Sequence, residues 1–367
     1  MALDPIYARA LDGAQWDVPQ DYDALFDWHY SDDRKDLLNL YNKGKTMQWD
    51  TESRIDWSVD LDPDNPQGMP IEFFPLYGAD FFMKMSPKEQ GVLRHHQQAW
   101  SVSQFLHGEQ GALLCSAKIV TNVPDTEAKF YASTQVMDEA RHVETYKKLL
   151  EKIGTAYPIT GPLKTLLDQV MRDSRWDMTY LGMQVVIEGL ALAAFASIRD
   201  NAQNPLASAV NAYVMQDEAR HVAFGRLALR EYYPQLTQAE RDEREEFLVE
   251  ACYHMRDRFQ ATEVWDNLGL DVKACAEHLH NSHTMKIFRT ALFSRIVPIV
   301  KDIGLWGDKI RHGYEQMGIL GFANVDIDAM QDNDMKVAAE HDARRDEAKR
   351  KVHVDETIEL GKTAAAE

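Results

Sequence analysis

Glu109 is followed, after 28 residues, by the string Asp138-Glu139-Ala140-Arg141-His142, and Glu188 is followed, again after 28, by Asp217-Glu218-Ala219-Arg220-His221. Each carboxylate and imidazole of the first copy has its counterpart 79 residues further on. Such a repeat leaves a chain few ways to fold. The most apolar stretch, 185–198, contains Glu188, and a carboxylate inside an apolar helix is tolerated only when it is paired or binds a cation. Each Glu-x-x-His pair is spaced i, i+3 and projects from one helical face. Two such pairs and two lone glutamates, one contribution from each of four helices, form the ligand set of a dinuclear site inside a four-helix bundle.

The helix signals agree with that demand. Ser86-Pro87-Lys88-Glu89 combines a capping serine, proline at the first helical position and a glutamate three residues after the cap. A helix is predicted from there to about Asn122, ahead of Pro124. Asp125 is expected to cap a second helix ending near Ile153, with Gly154 as its stop. A crossover with a short helix over 163–173 leads to a third long helix, Trp176–Asn201, and Pro205 opens a fourth that runs to about Tyr233. Glu109 and Glu139 each lie 13 residues from the first turn, and Glu188 and Glu218 lie 13 from the second. At the helical rise each is ~20 Å from its turn, so all six ligands fall at one level.

The predicted fold is all-α. Residues 1–85 form an N-terminal extension packing on the bundle, with a helix at 32–45 and loop at 60–70. Residues 86–233 are the bundle, and 234–325 add helices to the same domain, over 237–268 and 284–303. Residues 326–367 are a charged helix or tail. The helix over 284–303 has an apolar stripe through Ile287, Ala291, Ile296 and Val300, from which a homodimer is expected.

A net charge of −19 argues against nucleic acid and against an anionic membrane surface, both of which require clustered Lys and Arg. Cys115, Cys252 and Cys275 are odd in number and lack metal-site spacing, which fits a reducing compartment. No signal peptide is evident at the N-terminus, so the expected location is the cytoplasm.

Carboxylate oxygen and imidazole nitrogen suit iron or manganese better than zinc. Glu109, Glu139 and His142 are assigned to one metal, Glu188, Glu218 and His221 to the other, with Glu139 and Glu218 as the expected bridges. The cofactor expected is two iron ions cycling between Fe2+ and Fe3+, with Mn/Fe as the other pair and O2 as co-substrate. A metal-bound histidine usually gives its other N–H to a carboxylate. Asp138 is therefore expected to hold His221, and Asp217 to hold His142, while Arg141 and Arg220 pair with these aspartates or with the ligand glutamates. Tyr146, Gln184, Leu192, Leu113 and Val214, each about one turn from a ligand, are the expected pocket-lining or redox-active positions. His95, His96, His107, His278, His280 and His283 read as ordinary core or surface histidines.

The doubled Glu-x28-Asp-Glu-Ala-Arg-His string resembles the ferritin-like di-iron oxygenases. Two branches come nearest: the p-aminobenzoate N-oxygenase-like family and the hydroxylase subunits of bacterial multicomponent monooxygenases. Gly108-Glu109-Gln110-Gly111-Ala112 is similar to the first-ligand helix of the second. The resemblance covers about 86–232. It implies a ferritin-like bundle that activates O2 to hydroxylate, N-oxygenate or desaturate a small, largely apolar molecule. Electrons would come from a ferredoxin, a flavoprotein reductase or the substrate itself. The chain departs from the first branch at Val214, where a third histidine belongs, and from the second at Leu192, where a threonine belongs. Tyr146 occupies the place of the radical tyrosine in ribonucleotide reductase small subunits. A radical generator or ligand-binding oxidase of that kind is one alternative, and iron storage or detoxification is another.

Overall fold

The computed structural model describes residues 6–9, 16–27, 30 and 32–364. The remaining parts of the expected N-terminal extension, and residues 365–367 of the expected charged tail, lie outside the described residues. Helices are the only regular elements among the described residues, with no strand and only two isolated bridges, Tyr7 with Ala156 and Asp62 with Asn65.

Four long helices form the bundle, preceded by α1 (Lys35–Thr46): α2 (Pro87–Asn122), α3 (Thr126–Ile153), α5 (Trp176–Asn201) and α6 (Pro205–Tyr232). α4 (Gly161–Arg172) makes the crossover between the two hairpins. Ser86 and Glu89 close a reciprocal capping box at the start of α2, and Gly154 ends α3 in the left-handed conformation with φ 78°. Asp125 departs from expectation. It occupies the cap position of α3, but its carboxylate pairs with Arg34 Nη1 at 3.2 Å and accepts no bond from the helix.

α2 packs on α3, α5 packs on α6, and α3 meets α6 to join the hairpins. α1 lies across α3 and α6. Its approach is set by Gly44, where a Cβ would come 2.7 Å from Thr134 Oγ1. α5 is the one described helix long and apolar enough to cross a membrane, yet 78% of that stretch is buried inside the protein. It is the central helix of the core. Seven of its residues, Leu181–Ile187, form a π-helical segment ending immediately before Glu188. Sequence patterning does not show that widened turn, and such turns recur beside functional groups.

After the bundle, the two helices expected over 237–268 and 284–303 are each broken. α7 (Gln238–Asp257) ends in a short turn, Arg258–Gln260, and a residue with positive φ, Ala261 at 48°. α8 (His283–Ala291) is separated from α9 (Ile296–Asp302) by a turn. The expected apolar stripe therefore does not exist as one face. Ile296 and Val300 are buried within the chain, whereas Ile287 is 55% exposed. This removes the ground for reading the stripe as a dimer surface. α10 (Ile327–Ala364) closes the molecule by packing along α6.

Candidate metal centre

The repeat delivers its groups to one place. Ligand atoms of Glu109, Glu139, His142 and Glu218 lie within 4.8 Å of one another, and so do those of Glu139, Glu188, Glu218 and His221. All six residues are buried. Glu139 and Glu218 belong to both groups, and the lone glutamates each belong to one. The register of the helices produces this. Glu109 and Glu139 face each other across the α2–α3 hairpin, Glu188 and Glu218 across the α5–α6 hairpin.

Nδ1 of each imidazole faces the carboxylates. His142 Nδ1 is 3.0 Å from Glu218, 3.3 Å from Glu109 and 3.3 Å from Glu139. His221 Nδ1 is 3.1 Å from Glu139 and 3.3 Å from Glu218. Nε2 of each ring faces the other copy's aspartate: His142 Nε2 lies 3.1 Å from Asp217 Oδ2, and His221 Nε2 lies 3.2 Å from Asp138 Oδ2. The crossed arrangement anticipated from the repeat is the one the structure places here. Arg141 bonds Asp138 and reaches Asp217 at 2.8 Å, and Arg220 bonds Asp217 at 2.5 Å and Asp138 at 3.4 Å. Burial alone would raise the Asp217 pKa, but Arg220, His142 and Arg141 outweigh it and hold the carboxyl well below its ordinary value. Asp217 is therefore a carboxylate that accepts the Nε2–H of His142, leaving Nδ1 free for a cation.

The centre carries more negative charge than its own groups satisfy. Burial, then the neighbouring Glu218 charge, pushes the pKa of Glu109 and of Glu188 well above the usual carboxylate range. Burial opposes protonation of His142, but its bonds to Asp217 and Glu109 and the nearby carboxylates of Glu139 and Glu218 prevail and raise it. His221 behaves alike, raised against burial by Glu139 and Glu218. Glu139 Oε2, Glu188 Oε2 and Glu218 Oε1 are buried and accept no hydrogen bond. Buried carboxylate oxygens without donors, converging with two imidazole nitrogens, fit a pair of divalent cations.

Three contributors carry no motif. Gln135, one turn before Glu139, donates to Glu139 at 3.0 Å and to Glu188 at 2.9 Å. Gln48 donates to Asp138 at 2.7 Å, and the Trp49 indole donates to Asp217 at 2.8 Å. The last two arrive just beyond α1, far away in sequence. The i−4 spacing from Glu139 was the one available hint, and it concerned Gln135 alone.

The pocket expectations need correction. A cavity of about 30 Å³ touches Glu109, Glu188 and Glu218, with Phe105, Ala112, Ala191 and Phe195 among its walls. Leu113, Gln184, Leu192, Val214 and Tyr146 do not line it. On α2 and α5 the open side is that of residues i+3 from the glutamates, Ala112 and Ala191, so the i+4 residues Leu113 and Leu192 fall on the opposite flank. Gln184 packs over Gly225, where a Cβ would come 2.5 Å from Gln184 Cβ. Val214 is fully buried in the core. Tyr146 is buried too, its hydroxyl donating to Asn211 Oδ1 at 3.3 Å and its ring against Phe105 and Phe195. The other histidines make ordinary bonds: His95 to Pro63 and Thr155, His96 to Tyr157, His107 to the Tyr157 carbonyl and His278 to the Tyr77 carbonyl.

The profile of the family described as P-aminobenzoate N-oxygenase AurF matches residues 31–304. No curated protein matches the chain by sequence. Among solved structures it is similar to a mutant R2-like ligand-binding oxidase with reconstituted Mn/Fe cofactor, at 15% identity and a TM-score of 0.48, covering 74% of this chain and 94% of that one. It is also similar to a Synechococcus protein with aldehyde deformylating oxidase activity, at 14% identity and a TM-score of 0.48, covering 62% of this chain and 98% of that one.

Proposed function

The chain belongs to the p-aminobenzoate N-oxygenase AurF family, and from that premise we propose how its residues serve an O2-dependent di-iron oxygenase acting on a small organic molecule. Glu109, Glu139 and His142 hold one iron and Glu188, Glu218 and His221 the other, with Glu139 and Glu218 shared. The observation that carries this reading is the convergence of six buried ligand groups in which three carboxylate oxygens have no donor. When bound, a ferrous pair supplies two electrons to O2. The chain's own part is orientation and exclusion. Asp138 and Asp217 fix the imidazoles through Nε2, Arg141 and Arg220 bond those aspartates, and the buried walls keep bulk water away.

The substrate we propose is largely apolar. A second cavity, of about 310 Å³, is lined by Met69, Phe73, Phe74, Trp100 and Phe288 and shares Phe105 with the small cavity at the carboxylates. That volume suits a small organic ligand. Oxygenation is the reaction the family membership favours, and arylamines head the candidates. Val214, where a third histidine belongs in the N-oxygenase pattern, keeps phenols and fatty acids under consideration. We place the electron source outside this chain, in a ferredoxin or flavoprotein reductase. We place the protein in the cytoplasm, with the three buried, unpaired cysteines in support.

The test is anaerobic ferrous loading followed by labelled O2 in the presence of arylamines, phenols and fatty acids, with products read by mass. Two irons per chain and one labelled oxygen atom in a product are expected. Oxygen uptake without labelled product from any class would refute the oxygenase reading. A persistent tyrosyl radical would instead indicate a radical generator, and hundreds of irons per particle would indicate storage.

A further inference from the structure

We propose that the hollow between the end of α7 and the outer face of α8 binds a small organic phosphate, and that this ligand braces the wall of the larger cavity from outside. The site is separate from the metal centre and does not depend on the reaction carried out there.

The hollow, of about 330 Å³, takes Arg256, Asp257 and Gln260 from the end of α7, His280 from the helix Val272–Asn281, and Lys286 and Arg289 from α8. Arg256 grips the neighbouring Asp257, at 2.7 Å from Nε and 3.0 Å from Nη2. Lys286 and Arg289 have no carboxylate within ion-pair distance among the described residues, and the one side-chain bond of Arg289 runs from Nη2 to the His280 carbonyl at 3.4 Å. The chain has 59 acidic residues against 40 lysines and arginines, so these cations are not left over for want of partners. Burial, and then the facing Arg256, lower the pKa of Arg289, while Asp257 opposes them. Two guanidiniums and an ammonium offer more donors than the one carboxylate among them can use. A phosphate monoester brings three oxygens and close to two negative charges, and the planar fork of arginine matches its geometry. The floor is apolar, formed by the buried side chains of Phe293, Met317 and Ile319, which suits the organic part of an ester. The volume is that of a small-molecule site. An acidic protein would oppose its whole surface to a chain of net charge −19, whereas screening limits a small dianion to the charges within about 8–10 Å.

The place of the hollow gives its ligand an effect. The two segments that carry the cations also form part of the wall of the larger cavity. Phe259, Ala261, Met285, Phe288 and Ala291 face that cavity, while Arg256, Gln260, Lys286 and Arg289 face the hollow behind it. On the cavity side the Phe259 and Phe288 rings meet edge to face at 5.5 Å. An anion held by Arg256 on one segment and by Lys286 and Arg289 on the other ties the same two segments from outside. The joint it steadies is Ala261, at φ 48° the one described residue other than glycine with positive φ. Occupancy of the hollow and occupancy of the cavity are thereby coupled, each changing the other's affinity by the same factor.

The probes are phenyl phosphate, inorganic phosphate and acetate, titrated calorimetrically into the ferrous, iron-loaded protein. Wild type is expected to bind phenyl phosphate roughly ten-fold or more tightly than either small anion, through the added burial of the ring. Arg289→Met and Lys286→Met should each weaken phenyl phosphate roughly ten-fold, and Arg289→Lys should weaken it less. Neither residue lines the larger cavity or the small one at the carboxylates, so iron stoichiometry should not change. In amide exchange, phenyl phosphate should slow segments 255–261 and 284–293 of wild type and leave those of Arg289→Met unaltered. Undiminished binding in both methionine variants, the result expected if the anion sits on iron, overturns the proposal. Acetate binding as tightly as phenyl phosphate does so too, and so does binding that needs concentrations far above millimolar, which would mean an adventitious ion only. Inorganic phosphate binding as tightly as phenyl phosphate would make the occupant a free phosphate and overturn the organic class. Binding that depends on Arg289 but leaves exchange in both segments unchanged would overturn the coupling to the cavity wall.

Discussion

Each imidazole of the centre works from both nitrogens, Nδ1 toward the ligand carboxylates and Nε2 toward an aspartate of the other repeat. Removing a shared carboxylate should therefore cost more metal than removing a terminal group. Glu139→Ala is expected to lower iron well below two per chain and His221→Ala to lower it toward one, measured by elemental analysis of the folded protein. Full loading of both variants would refute the ligand assignment. The same residues imply a proton exchange. His142 and His221 have pKa values raised by the carboxylates around them, and Glu109 and Glu188 have values raised by burial and by Glu218. All four shifts favour the protonated form, so metal must displace protons to bind. Ferrous binding should release protons and tighten as pH rises through the neutral range. Calorimetry in buffers of different ionisation enthalpy would reveal it, and an affinity independent of pH would contradict this account.

At the scale of the helix, the ends of α2, α3 and α6 were legible because local chemistry writes them: the Ser86–Glu89 box, Gly154 and Pro205. Ligand level followed from equal arm lengths, and the crossed aspartates from the repeated order of residues. The widened turn Leu181–Ile187 was not legible, since no proline marks it, its one glycine, Gly182, is also compatible with an ordinary helix, and its stability comes from packing on every side. Nor were Gln48 and Trp49, whose bonds to the centre join residues 90 and 168 positions apart. The cavity's side was missed because i+3 and i+4 neighbours are equally close on a helix surface. The break after α7 also escaped notice, because Ala261 adopts positive φ where glycine would have announced it. A left-handed alanine costs about 1–2 kcal/mol, more than the roughly 0.5–1 kcal/mol by which glycine's unfolded freedom disfavours folding. Ala261→Gly is accordingly expected to stabilise the protein by up to about 1 kcal/mol, read as a higher urea midpoint at constant slope. A lowered midpoint would mean that the alanine methyl contributes more by packing than it costs by strain.

Across the whole molecule, the C-terminal helix ties the outer shell to the centre. Asp334 of α10 is buried and receives Arg199 of α5 at 2.9 Å and Arg295, ahead of α9, at 2.6 Å. Further along α10, Asp342 binds Arg54 at 2.7 Å, and the Arg54 guanidinium lies 4.0 Å from the Tyr213 ring centre and 5.4 Å from that of Trp49. Trp49 in turn donates to Asp217, which holds His142. Docking of α10 therefore supports the tryptophan at the edge of the metal site without supplying a ligand. Asp334→Ala leaves Arg295 buried without its partner, while Arg199 keeps the exposed Asp200 at 2.7 Å. A loss of about 3 kcal/mol or more is expected from breaking one side of a buried ion cluster, measured by urea unfolding. Amide exchange should quicken along α10 and in the Trp49 segment, with iron stoichiometry held at two because all six ligands lie on α2, α3, α5 and α6. Loss of iron in the folded variant would show that α10 shapes the ligands themselves. Unchanged exchange at Trp49 would break the link from α10 through Arg54 to the centre.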